Sequence, residues 1–179
     1  FEYKDEVITQ KVGFRTISVS DKYELLINGV PVKMQGVNHH DTHPVNGYTM
    51  TDDELLADLK LMKKLNINCV RTSHYPQSHH FLDECDRRGI LVFTEIPGWQ
   101  HIGDEMWIDQ ALENVKEMVL QYRNHPSIVL WGVRINESRD NDDFYARANA
   151  IAHRLDPTRP TSGVRYLKKS SLLEDVYAY

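Results

Sequence analysis

A glutamate that directly follows a buried apolar run is the residue of this sequence best suited to proton transfer. Glu137 comes after Asn136, just beyond the apolar run at residues 127–133. A carboxyl group at the end of a buried strand is partly desolvated, which raises its pKa and suits it to protonate a leaving group near neutral pH. The neighbouring asparagine can donate a hydrogen bond to a substrate. The spacing leaves open a structural glutamate that pairs with Arg134 or Arg139.

Two further polar clusters follow apolar runs. Within RTSHYP, Arg71 and His74 can orient sugar hydroxyls or a catalytic carboxylate, and the alternative is an arginine that only holds an ion pair. His39, His40 and His43 invite a zinc site. Adjacent side chains of a strand point to opposite faces, so a substrate-contacting loop is favoured over a metal-dependent hydrolase.

Tryptophan and cysteine complete the set of candidates. Trp99 lies in a glycine-containing loop after Glu95, where an indole can bind the apolar face of a sugar ring, although core packing is the commoner use. Trp131 falls inside an apolar run and is expected to pack in the core. Cys69 and Cys85 lie in apolar-periodic segments without CxxC spacing, which predicts buried thiols rather than a disulfide or a zinc site.

These residues must be positioned by a strand-then-helix alternation that begins at Met34. The predicted strands are MQGVN (34–38), INCVR (67–71), ILVFTE (90–95), SIVLWGV (127–133), TSGVR (161–165) and, as a sixth, DVYAY (175–179). The candidate residues follow the ends of these strands, which is the layout of a (β/α)₈ TIM barrel, whose active site is assembled at that edge. No GxGxxG or GxxxxGK[ST] motif supports a nucleotide-binding open sheet. A full barrel takes about 250 residues, so the α/β fold predicted here is a partial barrel of five to six units.

The helices between the strands and the first residues carry their own signals. A capping box at Thr51 opens the first helix, and Gly89 is suited to end the second. Apolar positions at helical spacing reach Tyr122 in the third helix, and a fourth closes at Asp156. Residues 1–20 contain a near-alternating run that predicts a strand from a different unit.

Composition excludes two classes of partner. With 21 Lys+Arg, 26 Asp+Glu and a net charge of −5, the chain lacks the basic character of a nucleic-acid binder. No apolar run approaches the roughly 20 residues of a membrane helix. The chain begins with Phe1 and stops at Tyr179 after an apolar pair, so we expect a piece of something longer. Neither cytoplasm nor periplasm is favoured.

Two long motifs resemble glycoside hydrolase family 2, the family of β-galactosidases, β-glucuronidases and β-mannosidases. Residues 68–76, continued through Asp86 to 89–93, are similar to its first pattern, and residues 123–132, leading to Asn136-Glu137, are similar to its acid/base pattern. The resemblance implies that residues 1–20 end an immunoglobulin-like β-sandwich. It implies that residues 21–179 form an incomplete TIM-barrel catalytic domain.

The resemblance also implies roles. Glu137 would be the general acid/base, Asn136 would bind the 2-hydroxyl of the sugar, His40 and His74 would contact substrate, and Arg71 would orient the nucleophile. Retention through a covalent intermediate needs a second carboxylate about 5 to 5.5 Å away. The family supplies it as a glutamate on the seventh strand, which lies beyond this chain, so the chain alone is expected to be inactive.

The implied activity is a retaining exo-β-glycosidase that acts on a carbohydrate, with β-galactosides first and β-glucuronides or β-mannosides as alternatives. A non-catalytic carbohydrate-binding relative is the alternative from another class. Some bacterial β-galactosidases of the family bind magnesium through a glutamate and a histidine after the third strand. Here Trp99 and His101 fall at those positions, so only the histidine matches, which argues against a magnesium site in this chain and leaves magnesium open for the intact enzyme. The edges of an unclosed barrel predict a homo-oligomer or partial disorder.

Overall fold

The first part of the chain forms two small antiparallel sheets. The computed structural model describes residues 2–3 and 6–179. The strands of the two sheets are β1 (Glu2–Tyr3), β2 (Glu6–Val7), β3 (Ile17–Val19), β4 (Leu25–Ile27) and β5 (Val30–Pro31). β1 pairs with β2, and β3, β4 and β5 form the second sheet in that order.

A tight turn joins β4 to β5. Asn28 and Gly29 both adopt left-handed backbone conformations, with φ of 52° and 77°. A two-residue hairpin turn of type I′ needs positive φ at both positions, which explains the Asn-Gly pair.

The strand predicted within residues 1–20 is shorter than its apolar alternation suggests. It is present only as β3, which pairs with β4 and so joins a sheet that extends past residue 20. The preceding residues instead lie against the chain near Pro126, because the Arg15 side chain donates from Nε to the carbonyl of Pro126 and from Nη2 to the carbonyl of Ile128. The division of the chain at residue 20 stays a prediction.

Six parallel strands then form one curled sheet, and four helices pack on it. The strands are β6 (Gly36–His39), β7 (Cys69–Thr72), β8 (Leu91–Glu95), β9 (Ile128–Gly132), β10 (Thr161–Val164) and β11 (Val176–Ala178). The helices are α1 (Asp52–Lys64), α2 (His79–Arg88), α3 (Glu105–Tyr122) and α4 (Asp142–Leu155). The strands lie side by side in chain order from β6 to β11, which confirms the partial TIM barrel. Within the described residues, no helix has the length and apolar character to cross a membrane.

The helices begin and end where the sequence signals are. Thr51 and Glu54 form the reciprocal capping box of α1. Gly89 ends α2 in a left-handed conformation with φ of 65°. The N-caps of α2, α3 and α4 are Ser78, Asp104 and Asn141, each accepting a hydrogen bond from the backbone N–H three residues on.

The main core lies between the helices and the sheet. Fully buried side chains from every layer meet there, among them Leu59, Phe81, Val115, Trp131 and Phe144. Trp131 packs as predicted. The two cysteines are free and buried, which confirms the prediction of thiols, and burial raises the pKa of Cys69 to about 11.

Candidate active site

Side chains from the ends of the parallel strands meet in one pocket. The pocket has a volume of about 430 Å³, and its lining residues are Asn38, His40, Arg71, His74, Trp99, Asn136, Glu137 and Val164. All six residues predicted from the sequence to act on the substrate lie in this lining: His40, Arg71, His74, Trp99, Asn136 and Glu137. They come together because the C-terminal ends of parallel strands share one edge of the sheet.

Arg71 is the hub of the pocket. Its Nε donates to Oε1 of Glu95 over 2.6 Å, and its Nη2 donates to Oδ1 of Asn136, also over 2.6 Å. The guanidinium therefore holds an ion pair and orients a pocket amide at the same time. Because Asn136 accepts through its oxygen, its Nδ2 is the end left to donate.

Glu95 is an anchor beneath the pocket. Its side chain is 1% exposed, and besides Arg71 it contacts Nδ1 of His74 through Oε2 at 2.9 Å. A carboxylate only accepts, so Nδ1 of His74 carries the hydrogen and Nε2 is the ring atom free to accept in the neutral form. Both carboxylate oxygens of Glu95 are engaged, which does not suit a nucleophile.

The three histidines of the predicted cluster diverge. His40 lines the pocket, where its ring meets that of His74 edge-on at 5.5 Å. Burial and then the nearby His74 lower the pKa of His40, which favours the neutral ring. His39 is buried and contacts Asp58, whereas His43 contacts Glu54. Within residues 2–3 and 6–179, these histidines form no common metal site.

The pKa of Glu137 is shifted in the direction opposite to the sequence prediction. Its Oε2 accepts hydrogen bonds from Nε1 of Trp99 at 3.1 Å and from Nε2 of Gln100 at 3.2 Å. These two donors lower the pKa of Glu137, and desolvation, which would raise it, is smaller because the side chain is only half-buried. The predicted raised pKa is therefore wrong for this structure.

The alternative structural pairing of Glu137 is not formed. Arg134 is fully buried and pairs with Asp140 and Glu174, both at 2.9 Å. Glu174 also pairs with Arg165, so a buried network lies behind the segment that carries Glu137. That segment is strained, because Glu137 itself has a left-handed φ of 52°.

The sequence prediction assigned no role to two polar residues of the site, Asn38 in the pocket lining and Gln100 beside Glu137. Asn38 is the next-to-last residue of β6 and lies two residues before His40, so it belongs to the polar cluster at that strand end. Gln100 carries no such signal. Its contact depends on its own left-handed φ of 60° and on a backbone bridge between Trp99 and Asn136.

The residues present do not fit a magnesium ion next to Glu137. Magnesium prefers oxygen ligands, whereas Trp99 and Gln100 point N–H groups at the carboxylate. His101 is exposed, and its ring lies 6.1 Å from that of Trp107.

Among the described residues, one group has metal-ligand spacing, and it lies outside the pocket. It consists of Asp83, Asp86 and His125. Asp86 already accepts hydrogen bonds from Nδ1 of His125 at 2.8 Å and from the backbone N–H of Ser127 at 2.9 Å. The group therefore has a structural use, in which α2 is tied to the start of β9.

Comparisons with known proteins agree on one family. The model of the family described as "Glycosyl hydrolases family 2, TIM barrel domain" matches residues 17–178. A β-galactosidase of Thermoanaerobacter pseudethanolicus is 56% identical over 172 residues, covering 96% of this chain and 23% of that protein. A β-galactosidase of Thermoanaerobacterium thermosulfurigenes is 48% identical over 184 residues, covering 94% and 26%. The chain thus spans about a quarter of the length of these curated relatives.

Solved structures with the same fold include enzymes named for sugars other than galactose. A β-glucuronidase of Parabacteroides merdae is 32% identical with a TM-score of 0.86, covering 98% of this chain and 24% of that chain. A family 2 β-galacturonidase of Eisenbergiella tayi is 32% identical, also with a TM-score of 0.86, covering 93% and 31%.

Proposed function

Because this chain belongs to glycosyl hydrolase family 2, we propose that it forms part of the catalytic barrel of a retaining exo-β-glycosidase that acts on terminal β-galactosides. The observation that carries the proposal is the composition of the pocket. Of the described residues that line the pocket, Glu137 alone is acidic, and it stands among amide, imidazole and guanidinium groups. Such groups suit the hydroxyls of a sugar, and the single carboxyl suits proton transfer.

In this proposal Glu137 acts in both steps of the reaction. First, its carboxyl group gives a proton to the glycosidic oxygen while the bond from that oxygen to the anomeric carbon breaks and a second carboxylate bonds to the carbon. Then the carboxylate of Glu137 takes a proton from water, whose oxygen displaces the second carboxylate. We assign that nucleophile to a residue outside this chain, because Glu95 is buried and held by Arg71 and His74.

The other pocket residues bind and orient in this proposal. Asn136 donates from Nδ2 to the sugar hydroxyl next to the anomeric carbon, since its oxygen is taken by Arg71. His40 and His74 contact further hydroxyls, and the indole face of Trp99, which is 60% exposed, offers an apolar platform to the ring. Arg71 orients the carboxylate that acts as the nucleophile.

The sugar is assigned from the relatives. The β-galactosidases share more sequence with this chain than the β-glucuronidase and the β-galacturonidase do, so galactose is the first choice. The uronic-acid enzymes support a second candidate, because they share the fold over nearly all of the chain. Uronic acids carry a carboxylate, and Arg71 already spends two nitrogens on Glu95 and Asn136. A uronate would therefore need another cation.

The experiment is a substrate panel assayed with the full-length protein that carries this chain. Aryl β-galactosides, β-glucuronides and β-mannosides with good and poor leaving groups are compared for the unchanged protein and for Glu137→Gln. The substitution is expected to slow poor leaving groups by about 100-fold or more and activated ones much less, because only the former need the proton. Equal losses on both would contradict the acid role. Sugar binding without turnover in the unchanged protein would indicate a non-catalytic relative.

A further inference from the structure

The loop that carries Trp99 and Gln100 is fixed to the strand end that carries Glu137. The backbone N–H of Gln100 donates to the carbonyl of Asn136 over 2.7 Å, and Trp99 and Asn136 form a parallel backbone bridge. Before them, the N–H of Gly98 donates to the carbonyl of His74. The side chains of Trp99 and Gln100 are thus delivered to one carboxylate by main-chain bonds rather than by chance contact.

Both side chains address the same oxygen of Glu137. Nε1 of Trp99 and Nε2 of Gln100 each donate to Oε2. Among the residues that the structure describes, no side chain or backbone group donates to Oε1. The carboxyl group is therefore asymmetric before any substrate binds.

We infer that Gln100 is a positioning residue for Glu137, and that with the indole N–H of Trp99 it holds Oε2 as an acceptor so that Oε1 is the oxygen that carries the transferred proton. The inference rests on the proposed function, which it deepens. An oxygen that accepts two N–H groups has no room for a proton of its own, since that proton would face two other hydrogens. In the first step the proton leaves Oε1 for the glycosidic oxygen, and in the second step Oε1 receives a proton from water.

The two side-chain donors to Glu137 are neutral groups. Two N–H groups stabilise the ionised carboxylate without adding a charge, and the pKa of Glu137 is accordingly lowered. The charged and titratable groups that face Glu137 are Arg71 and His74 from the end of β7, with His40 across the pocket and Glu95 behind Arg71. Gln100 is neutral, so its removal changes hydrogen bonding to Glu137 and leaves these charges in place.

The test is the pH dependence of turnover in the full-length protein with Gln100→Met. Methionine keeps the length of the side chain and the backbone bond to Asn136 but cannot donate. Loss of a hydrogen-bond donor to the carboxylate raises the pKa of Glu137. The acid form then persists to higher pH, so the alkaline limb of the kcat/KM profile moves to higher pH. On that limb, the rate relative to the maximum is expected to rise roughly three- to tenfold, the factor that one net hydrogen bond supplies.

A matched variant separates this effect from a general one. Gln110→Met makes the same chemical change on the exposed face of α3, where the hydrogen-bond partner of Gln110 among the described residues is Asn114, and its alkaline limb should not move. Trp99→Phe removes the second donor and should move the limb in the same direction as Gln100→Met. A limb that stays in place in both pocket variants, or a uniform loss of rate at every pH, would overturn the inference.

A spectroscopic readout keeps the inference testable apart from catalysis. The fluorescence of the unchanged protein minus that of Trp99→Phe isolates the Trp99 signal, which is expected to titrate with the carboxyl group that it contacts. Glu137→Gln should abolish this titration, and Gln100→Met should move its midpoint to higher pH. An unchanged midpoint counts against the role of Gln100. Absence of glycosidase activity in the unchanged protein counts only against the proposed function.

Discussion

Replacement of Glu95 by glutamine tests whether the pocket depends on the anchor beneath it. The change keeps the shape of a side chain that is 1% exposed and removes its negative charge. Removing one partner of a buried ion pair costs about 3–5 kcal/mol. The glutamine oxygen can still accept from Nε of Arg71, a bond to a charged donor worth about 1.5 kcal/mol. We therefore expect the free energy of unfolding to fall by about 1.5–3.5 kcal/mol.

The same change should disturb the pocket side chains. The new amide nitrogen faces Nδ1 of His74, which carries a hydrogen when it bonds Glu95, so two donors would meet. His74 must then turn or change tautomer, and Arg71 loses its fixed point. If the lost free energy of about 1.5–3.5 kcal/mol acts on the positions of these groups, kcat/KM falls by about 10- to 400-fold. A displacement of about 1 Å alone can cost about 100-fold.

The control is Glu113→Gln, the same chemical change on the surface of α3. Glu113 is 46% exposed, and its partner within the described part of the chain is Lys116; such surface pairs contribute about 0–1 kcal/mol. Both variants are compared in the full-length protein by calorimetric unfolding and by kcat/KM on an aryl β-galactoside. If Glu95→Gln is as stable and as active as Glu113→Gln, the anchoring role of Glu95 is refuted.

Two further predictions concern acid and metals. Burial acts to raise the pKa of Asp156, but hydrogen bonds from Thr158 and the charge of Arg159 outweigh it and lower that pKa below its ordinary value of 3.8. The ionised carboxylate of Asp156 therefore stabilises the fold above pH 3.8, and this contribution is lost as the pH falls through the lower pKa of the folded state. Asp156→Asn should lower the free energy of unfolding, measured with denaturant, by about 3 kcal/mol at pH 7 and by progressively less below pH 3.8. A difference between the two proteins that stays constant with pH would contradict this. Because N–H donors face Glu137, treatment with a chelator should leave kcat/KM and its pH profile unchanged, and a loss that magnesium restores would show that a cation acts at this pocket.

Much of the fold follows from local signals in the sequence. The capping box at Thr51 and the glycine at position 89 mark helix ends because each satisfies specific backbone groups or a left-handed turn. The strand-end rule brought Arg71, Asn136 and Glu137 to one pocket because parallel strands share a C-terminal edge. The spacing of apolar residues and the residues that end helices and strands are local features, so they can be recognised in the sequence without knowledge of tertiary contacts.

Features that depend on distant contacts were not readable in this way. The lowered pKa of Glu137 arises from Trp99 and Gln100, 38 and 37 residues earlier in the chain. The strand before β4 begins late because Arg15 bonds carbonyls near Pro126, more than 100 residues away. The separation of His39 from His40, in contrast, follows from the alternation of side chains along a strand, and the structure has His39 against Asp58 and His40 in the pocket lining.

The position of the pocket side chains depends on the register of β7, β8 and β9, and this register explains why residue 132 is a glycine. In the sheet, Arg71 pairs with Phe93, and Glu95 pairs with Gly132. A Cβ at position 132 would lie 2.5 Å from Cγ of Glu95 and 2.9 Å from its Cα. Only a residue without a side chain lets Glu95 lie flat against β9, where its oxygens meet Arg71 and His74. The arginine that Glu95 holds in turn orients Asn136, so the position of the substrate-binding amide is set by strand register before any ligand arrives.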